Sequence, residues 1–203
     1  QHLPIVLADW SGQKLLDACS GVGGKTFHLL DFIDHTCHIE ALEPNPSQRA
    51  LFEANAQRLK LRPKHLWTEK LEAWAEKQPQ PIYDAVILDV PCSSSGVIAK
   101  HPEIKHRCTP SRLQAIQKQQ KTLLDAAWKL LKPGGILVYM TCSIFQQEND
   151  GQLRSLLARH SDASVMTFPL IPSAMPSEYG QQLLPCENHL GFYYAKVIKN
   201  VPQ

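Results

Sequence analysis

Two cysteines share one kind of sequence context, each placed at the end of an apolar run. Cys92 follows Pro91 in ILDVPCSSSGV, and Cys142 ends the apolar run in LVYMTCSIFQQE. Cysteine is a common buried residue, so packing alone could explain either position. Both thiols, however, stand at the ends of neighbouring predicted strands, in loops with Ser or Pro rather than inside a strand. We therefore interpret Cys92 and Cys142 as a reactive pair, and the other cysteines outside this setting as structural: Cys19, Cys37, Cys108 and Cys186.

A glycine-rich turn, DACSGVGGK (17–25), leaves the first predicted strand and opens a helix. Its glycines let the backbone approach a ligand closely, and the helix N-terminus favours polar groups. Glu43 ends the second predicted strand, where a carboxylate can accept both hydroxyls of a ribose, although it could also be a solvated strand-end charge. The run lacks the full GxGxxG spacing of a phosphate site. It therefore fits a nucleoside without phosphates, such as S-adenosylmethionine.

Apolar runs alternate with amphipathic stretches along the whole chain. This order predicts an α/β fold with a mostly parallel, seven-stranded sheet, helices on both faces and ligands at the carboxyl ends of the central strands. The last strand is expected to insert antiparallel at the sheet edge. Ser47 is the predicted N-cap of the second long helix. The predicted strands span residues 14–19, 38–43, 64–68, 82–90, 136–142, 164–168 and 191–199, and the main helices 23–33, 47–61, 111–131 and 147–160.

Composition excludes several classes of protein. The chain has 203 residues, 43% of them hydrophobic and 20% charged, which is typical of one globular domain. A net charge of +2 permits nucleic-acid binding without indicating it. No apolar run reaches the roughly 18 residues of a membrane span, and the N-terminus lacks a signal peptide. The six cysteines show no CxxC spacing. We expect a cytoplasmic protein with free thiols and no metal.

Two segments carry a specific family resemblance. DVPCSSSGVIAKHPEIKHR (89–107) and GGILVYMTCSIFQQEN (134–149) resemble the cysteine motifs of RNA cytosine-5 methyltransferases of the NOL1/NOP2/Sun family, and most of all its bacterial Fmu/Sun (RsmB) subfamily. The resemblance extends from about Lys14 to Lys199. It implies a Rossmann-like S-adenosylmethionine-dependent methyltransferase fold, S-adenosylmethionine as cofactor and small-subunit (16S) ribosomal RNA as substrate, with the enzyme acting as a monomer. Family members usually carry an N-terminal RNA-binding domain, so residues 1–203 are expected to be the catalytic domain alone.

The resemblance also assigns roles to individual residues. It makes Cys142 the nucleophile that adds to C6 of cytosine and Cys92 the thiol that assists product release. Asp89 would bond either the pyrimidine edge or the cofactor. The cofactor-binding set implied by the family consists of Cys19, Ser20, Gly21, Val22, Gly23, Gly24, Lys25, Glu43, Glu69 near the adenine, and Asp89.

Two short stretches depart from the family pattern. Ser20, Gly21 and Val22 replace the usual alanines and proline before the two glycines, which could loosen cofactor binding. The usual Ser-Ala-Thr-Gly after the first cysteine is here 93–96, Ser-Ser-Ser-Gly. Both changes are conservative enough to preserve the backbone contacts that the family uses.

Other functions remain open at the level of the sequence. The chain could be a catalytically idle RNA-binding scaffold, or a cytosine-5 methyltransferase of transfer RNA. A DNA cytosine methylase would use Cys92 as its nucleophile and need no second thiol, and an amino-group methyltransferase would need Asn/Asp-Pro-Pro-aromatic where DVPC stands. The loop 99–112 is either a solvated face or an RNA phosphate contact, through Lys100, His101, Lys105, His106, Arg107 and Arg112.

Overall fold

One mixed sheet with helices packed against it forms the molecule. The computed structural model describes residues 2–34 and 36–202. Its strands are β1 (Lys14–Asp17), β2 (His38–Leu42), β3 (His65–Trp67), β4 (Tyr83–Asp89), β5 (Leu131–Thr141), β6 (Ala163–Met166), β7 (Met175–Pro176), β8 (Gln181–Leu183) and β9 (Phe192–Lys199). Its helices are α1 (Leu3–Val6), α2 (Gly24–Phe32), α3 (Pro46–Leu59), α4 (Leu71–Lys77), α5 (Ile104–Arg107), α6 (Pro110–Leu130) and α7 (Asp150–Arg159).

The strand order is β3-β2-β1-β4-β5-β9-β8-β7, with β6 also paired to β9. Strands β1 to β5 pair in parallel, and β9 runs antiparallel to β5, β6 and β8. The predicted α/β class and the antiparallel last strand are thus confirmed. However, β9 lies inside the sheet, with β5 on one side and β6 and β8 on the other, and not at the edge as expected.

All seven predicted strands are present, and the described residues contain two more, so the predicted count of seven is too low. The additional strands are β7 and β8, of two and three residues. They lie in a segment rich in Pro and polar residues, where no alternating pattern is long enough to indicate a strand. Both extend the antiparallel end of the sheet beyond β9.

The central strands are apolar because both of their faces are covered. Leu16, Val86, Leu88 and Leu137 point into one core, shared with α4 and α6. Side chains at the alternate strand positions, such as Ile87, lie on the other face of the sheet and pack into a second core with α1 and α2. This double burial is what a parallel sheet between helix layers requires.

The start of α3 differs from the expected one. The side chain of Asn45 caps α3 by accepting a hydrogen bond from the Ser47 amide at 2.9 Å, so the predicted cap at Ser47 is wrong. Asn45 precedes Pro46 at the first helical position, which favours that start. None of the helices in the described part of the chain is long and apolar enough to cross a membrane.

Candidate active site

The two thiols meet at one rim of the sheet. Strands β4 and β5 are parallel neighbours, with Asp89 opposite Met140, so the loops that follow them leave at the same edge. Cys142 directly follows β5, and Cys92 lies three residues beyond the end of β4. Their Sγ atoms are 3.3 Å apart, which is within hydrogen-bonding distance for sulfur. The predicted pair is therefore a pair in space.

Backbone contacts hold the two loops against each other. The amide of Gly96 donates to the carbonyl of Cys142 at 2.8 Å, and the amide of Gly191 donates to the carbonyl of Gly96 at 2.8 Å. A Cβ atom at position 96 would lie only 2.4 Å from the Gly191 carbonyl oxygen. Position 96 therefore requires glycine, because any side chain would separate the loops that carry the thiols.

A buried carboxylate lies behind the thiols and bonds both loops. Glu148 is fully buried. It accepts hydrogen bonds from the Ser93 amide at 2.8 Å and from the hydroxyls of Ser93 and Ser143. Since Ser93 follows Cys92 and Ser143 follows Cys142, one side chain connects the two thiol loops.

The two thiols differ in their protonation. The hydrogen bond from Cys92 lowers the pKa of Cys142 and outweighs burial, and the Ser94 hydroxyl, 3.5 Å away, and the Lys25 ammonium lower this pKa further. The same hydrogen bond, burial and the charge of Glu148 raise the pKa of Cys92 far above its ordinary range. Cys142 therefore has the lower pKa of the two, which favours Cys142 as the thiolate and Cys92 as the hydrogen-bond donor.

The glycine loop is fixed by the carboxylate at the end of β2. Glu43 accepts from the Gly21 amide at 2.9 Å and from the Asn45 amide at 2.7 Å. Gly23 has a φ of 90°, and a Cβ there would lie 2.2 Å from the Phe27 ring. Glycine is therefore required at position 23. The loop is closely packed against β2 on one side and against α2 on the other.

The residues that depart from the family pattern are also anchored. Ser20 donates its amide to the Leu42 carbonyl at 3.1 Å, and its hydroxyl donates to the same oxygen at 3.3 Å. The side-chain amide of Asn55 donates to the Val22 carbonyl at 3.1 Å. These contacts hold the loop in place without the usual alanines and proline.

A cavity of about 230 Å³ opens beside this loop. Cys19 and Glu43 form one wall, and Leu71 and Pro91 are among the apolar residues of the rest. Glu69 is not in its lining and forms an ion pair with Lys77 instead. Its predicted contact with an adenine stays a prediction.

A second cavity, of about 310 Å³, lies on the other side of Cys92. Of the predicted basic contacts, His101, Arg107 and Arg112 line it, and Lys100, Lys105 and His106 do not. Apolar residues such as Ile104 contribute to its lining. Cys92 therefore lines a pocket that contains three basic side chains and one acidic side chain, Glu103.

The model of the 16S rRNA methyltransferase RsmB/F family matches residues 4–198. The chain belongs to this family. Ribosomal RNA small subunit methyltransferase B of Shewanella oneidensis is 35% identical over 202 residues, which cover 98% of this chain and 46% of the relative. The chain thus spans less than half the length of curated relatives that it matches.

Solved structures show the same fold. A crystal structure of PH0851 has a TM-score of 0.87 and 30% sequence identity, covering 96% of this chain and 44% of that one. The structure of NSun6 from Pyrococcus horikoshii with SFG has a TM-score of 0.80 at 24% identity, covering 95% and 49%. The RsmB/F chain therefore has the S-adenosylmethionine-dependent methyltransferase fold, as predicted.

The predicted cofactor, S-adenosylmethionine, is confirmed by the RsmB/F family and its fold. The residues present fit this group. A Cβ built at Gly21 meets nothing within 4 Å, so open space adjoins the loop. Glu43 uses one acceptor site on each oxygen for Gly21 and Asn45, which leaves further lone pairs for ribose hydroxyls. The cavity beside the loop has apolar walls suited to a purine.

The structure places six of the predicted site residues together at one rim: Cys142, Cys92, Asp89, Lys25, Gly21 and Glu43. The sequence interpretation missed two buried acids, Asp17 and Glu148. Asp17 ends β1 inside the quoted glycine motif, and its Oδ1 atom has no hydrogen-bond partner among the described residues. Glu148 lies inside the second cysteine motif. The sequence feature that could have identified Asp17 and Glu148 is therefore a carboxylate within a site motif.

Proposed function

We propose that this chain catalyses S-adenosylmethionine-dependent methylation of C5 of a cytosine in RNA, with small-subunit ribosomal RNA as the substrate. The reaction proceeds through a covalent adduct between Cys142 and C6. The observation that carries this proposal is the thiol pair, with Sγ atoms 3.3 Å apart and the lower pKa at Cys142. S-adenosylmethionine, when bound against the glycine loop and Glu43, supplies the methyl group.

Cys142 opens the reaction. C5 of cytosine is a poor nucleophile, so the Cys142 thiolate adds to C6 and shifts electron density from the C5–C6 double bond towards C5 and the ring nitrogen N3. The thiolate is present near neutral pH because Cys92 donates a hydrogen bond to it. The lower pKa of Cys142 therefore favours Cys142 over Cys92 as the attacking group, in contrast to the arrangement in DNA cytosine methylases.

Cys92 closes the reaction. Once Cys142 is bound to C6, it no longer carries the negative charge that keeps Cys92 protonated, and the pKa of Cys92 falls towards its ordinary value. Cys92 then releases its thiol proton to solvent, and the resulting thiolate takes the proton from C5. The C5–C6 double bond re-forms, and the bond between C6 and Cys142 breaks. The methylated base leaves and the Cys142 thiolate is restored.

Asp89 and Lys25 recognise the cytosine edge. Their ion pair presents an acceptor and a donor side by side between the cofactor loop and the thiols. In the proposed complex the Asp89 carboxylate accepts from the exocyclic amino group and favours a proton on N3 as the adduct forms, while Lys25 donates to the ring carbonyl. Of the two roles that the resemblance allows for Asp89, we therefore favour the pyrimidine edge.

The names of the relatives support an RNA substrate, and the pocket beside Cys92 suits it. Arg107 and Arg112 line that pocket and are exposed, where they can contact phosphates. The target base must be unpaired or flipped to reach the thiols. Action on ribosomal RNA in the cytoplasm, by a monomer, is part of the same proposal.

Bisulfite sequencing tests the proposal. Ribosomal and transfer RNA would be compared from cells with the gene, without it, and with Cys142→Ser in its place. We expect one cytosine of the small-subunit RNA to resist conversion only in cells with the unaltered gene. Loss of resistance in transfer RNA would favour the transfer-RNA alternative, and no change in either RNA would favour the idle scaffold.

A further inference from the structure

Glu148 has a contact pattern that the proposed chemistry does not itself require. The residue is fully buried, although burying a carboxylate is costly unless donors compensate it. One oxygen accepts from the Ser93 amide at 2.8 Å and from the Gln120 side chain at 3.1 Å. The other accepts from the hydroxyls of Ser93 and Ser143. Both oxygens therefore have two donors each.

These donors come from three separate parts of the chain. Ser93 belongs to the loop after β4, Ser143 to the loop after β5, and Gln120 to the middle of α6. Gln120 also donates to the Pro91 carbonyl at 3.0 Å, immediately before Cys92. Glu148 is thus the point at which both thiol loops are fastened to the long helix behind them.

We propose that Glu148 is a positioning residue that holds the Cys92 and Cys142 thiols at bonding distance by clamping the loops that follow both cysteines. A carboxylate is the suitable group because it accepts at two oxygens and has no donor of its own. A glutamine in its place would accept at one oxygen only. Its amide group would face donors that the second carboxylate oxygen had bonded. The Ser93 and Ser143 loops would then move apart.

A wider thiol separation has a measurable consequence. The hydrogen bond from Cys92 is the largest influence that lowers the pKa of Cys142. Loss of that bond raises this pKa, so less Cys142 thiolate is present at neutral pH. Glu148 also contributes the negative charge that helps keep Cys92 protonated. A change at Glu148 therefore acts on both partners of the pair.

The test is the pH dependence of Cys142 alkylation by iodoacetamide, followed by peptide mass spectrometry without RNA or cofactor. We expect Glu148→Gln to move the midpoint upward by about one pH unit, which is about tenfold less thiolate below the midpoint. Glu40→Gln is the matched control, because Glu40 is another buried carboxylate, bonded to Trp67 and Tyr83 away from the thiols. Its substitution should leave the midpoint unchanged.

An unchanged midpoint in folded Glu148→Gln would overturn the proposal. If that variant does not fold, Ser93→Ala and Ser143→Ala each remove one hydroxyl donor, and their double variant should show the same upward shift. No shift in the double variant would also overturn it. Only the effect on turnover rests on the proposed function: kcat should fall at neutral pH and recover at higher pH, with an unchanged KM for RNA. Alkylation does not depend on methylation, so the two proposals fail separately.

Discussion

The ammonium group of Lys25 forms an ion pair with the carboxylate of Asp89 and so joins the glycine loop after β1 to the strand that leads to Cys92. The two side chains are 21% and 25% exposed. Burial lowers the pKa of Lys25, but the neighbouring Asp89 carboxylate more than offsets this, so the pKa is raised and Lys25 stays cationic. A fixed pair of charges therefore lies between the cofactor loop and the thiols.

Asp89→Asn should abolish most of the methylation activity without removing cofactor binding. The amide cannot favour a proton on N3 of the cytosine, and general acid–base contributions of this kind are worth about 10²–10⁴-fold in rate. Single-turnover methylation measures the loss, and calorimetry measures the cofactor affinity. Asp84→Asn, on the same strand but bonded to Lys132 at the opposite end, is the control. A large loss of cofactor affinity in Asp89→Asn would instead assign Asp89 to the cofactor.

Glu43→Ala should weaken S-adenosylmethionine binding by about 1–3 kcal/mol, because ribose hydroxyls and the Gly21 amide both lose their acceptor. Calorimetry on the isolated chain measures the difference. Glu53→Ala removes an exposed carboxylate that pairs with Arg62 and should leave the affinity unchanged. Equal affinities for all three proteins would remove Glu43 from the site.

Asp17 should make the fold less stable as the pH rises. Burial raises its pKa from an ordinary 3.8 to about 6, against the hydrogen bond from Thr26 and the charge of Lys25. Between those two pH values the folded state binds more protons than the unfolded state, so the free energy of unfolding falls across that window, by roughly 3 kcal/mol in total. Asp17→Asn should lack this contribution.

Urea unfolding at pH 4 and pH 7 tests the effect on stability. From pH 4 to pH 7, the free energy of unfolding should change less favourably in the unaltered chain than in Asp17→Asn. Comparing the two proteins cancels the contributions of the other titrating groups. The same pH dependence in both would show that Asp17 keeps an ordinary pKa in the folded chain.

The fold was largely predictable because its central strands are apolar and alternate with amphipathic helices. Strands such as β4 have both faces buried, which leaves an uninterrupted apolar run in the sequence. By contrast, β7 and β8 are too short to show a period, and they are defined by pairing, β8 with β9 and β7 with β8. The position of β9 inside the edge depends on the same non-local pairing, which periodicity does not record.

The site was predictable where a motif recurs and not where packing decides. The thiols, the glycine loop and Glu43 were found because their residue types stand at strand ends. The role of Glu148 depends on the distance between two loops separated by 50 residues, which only the folded chain determines. Glu69 pairs with Lys77 in the structure, and its contact with an adenine stays a prediction.

Covalent trapping of RNA tests the central claim most directly. Labelled RNA would be incubated with S-adenosylmethionine and each cysteine variant, then resolved on a denaturing gel. Cys92→Ala should attack more slowly, because Cys142 loses the hydrogen bond that lowers its pKa. It should still transfer the methyl group and stall, giving a persistent shifted band through Cys142, because no thiol remains to take the C5 proton. Cys142→Ala should give neither adduct nor product. A band trapped by Cys142→Ala instead would reverse the roles of the thiols, and full methylation by both variants without a band would contradict the two-thiol mechanism.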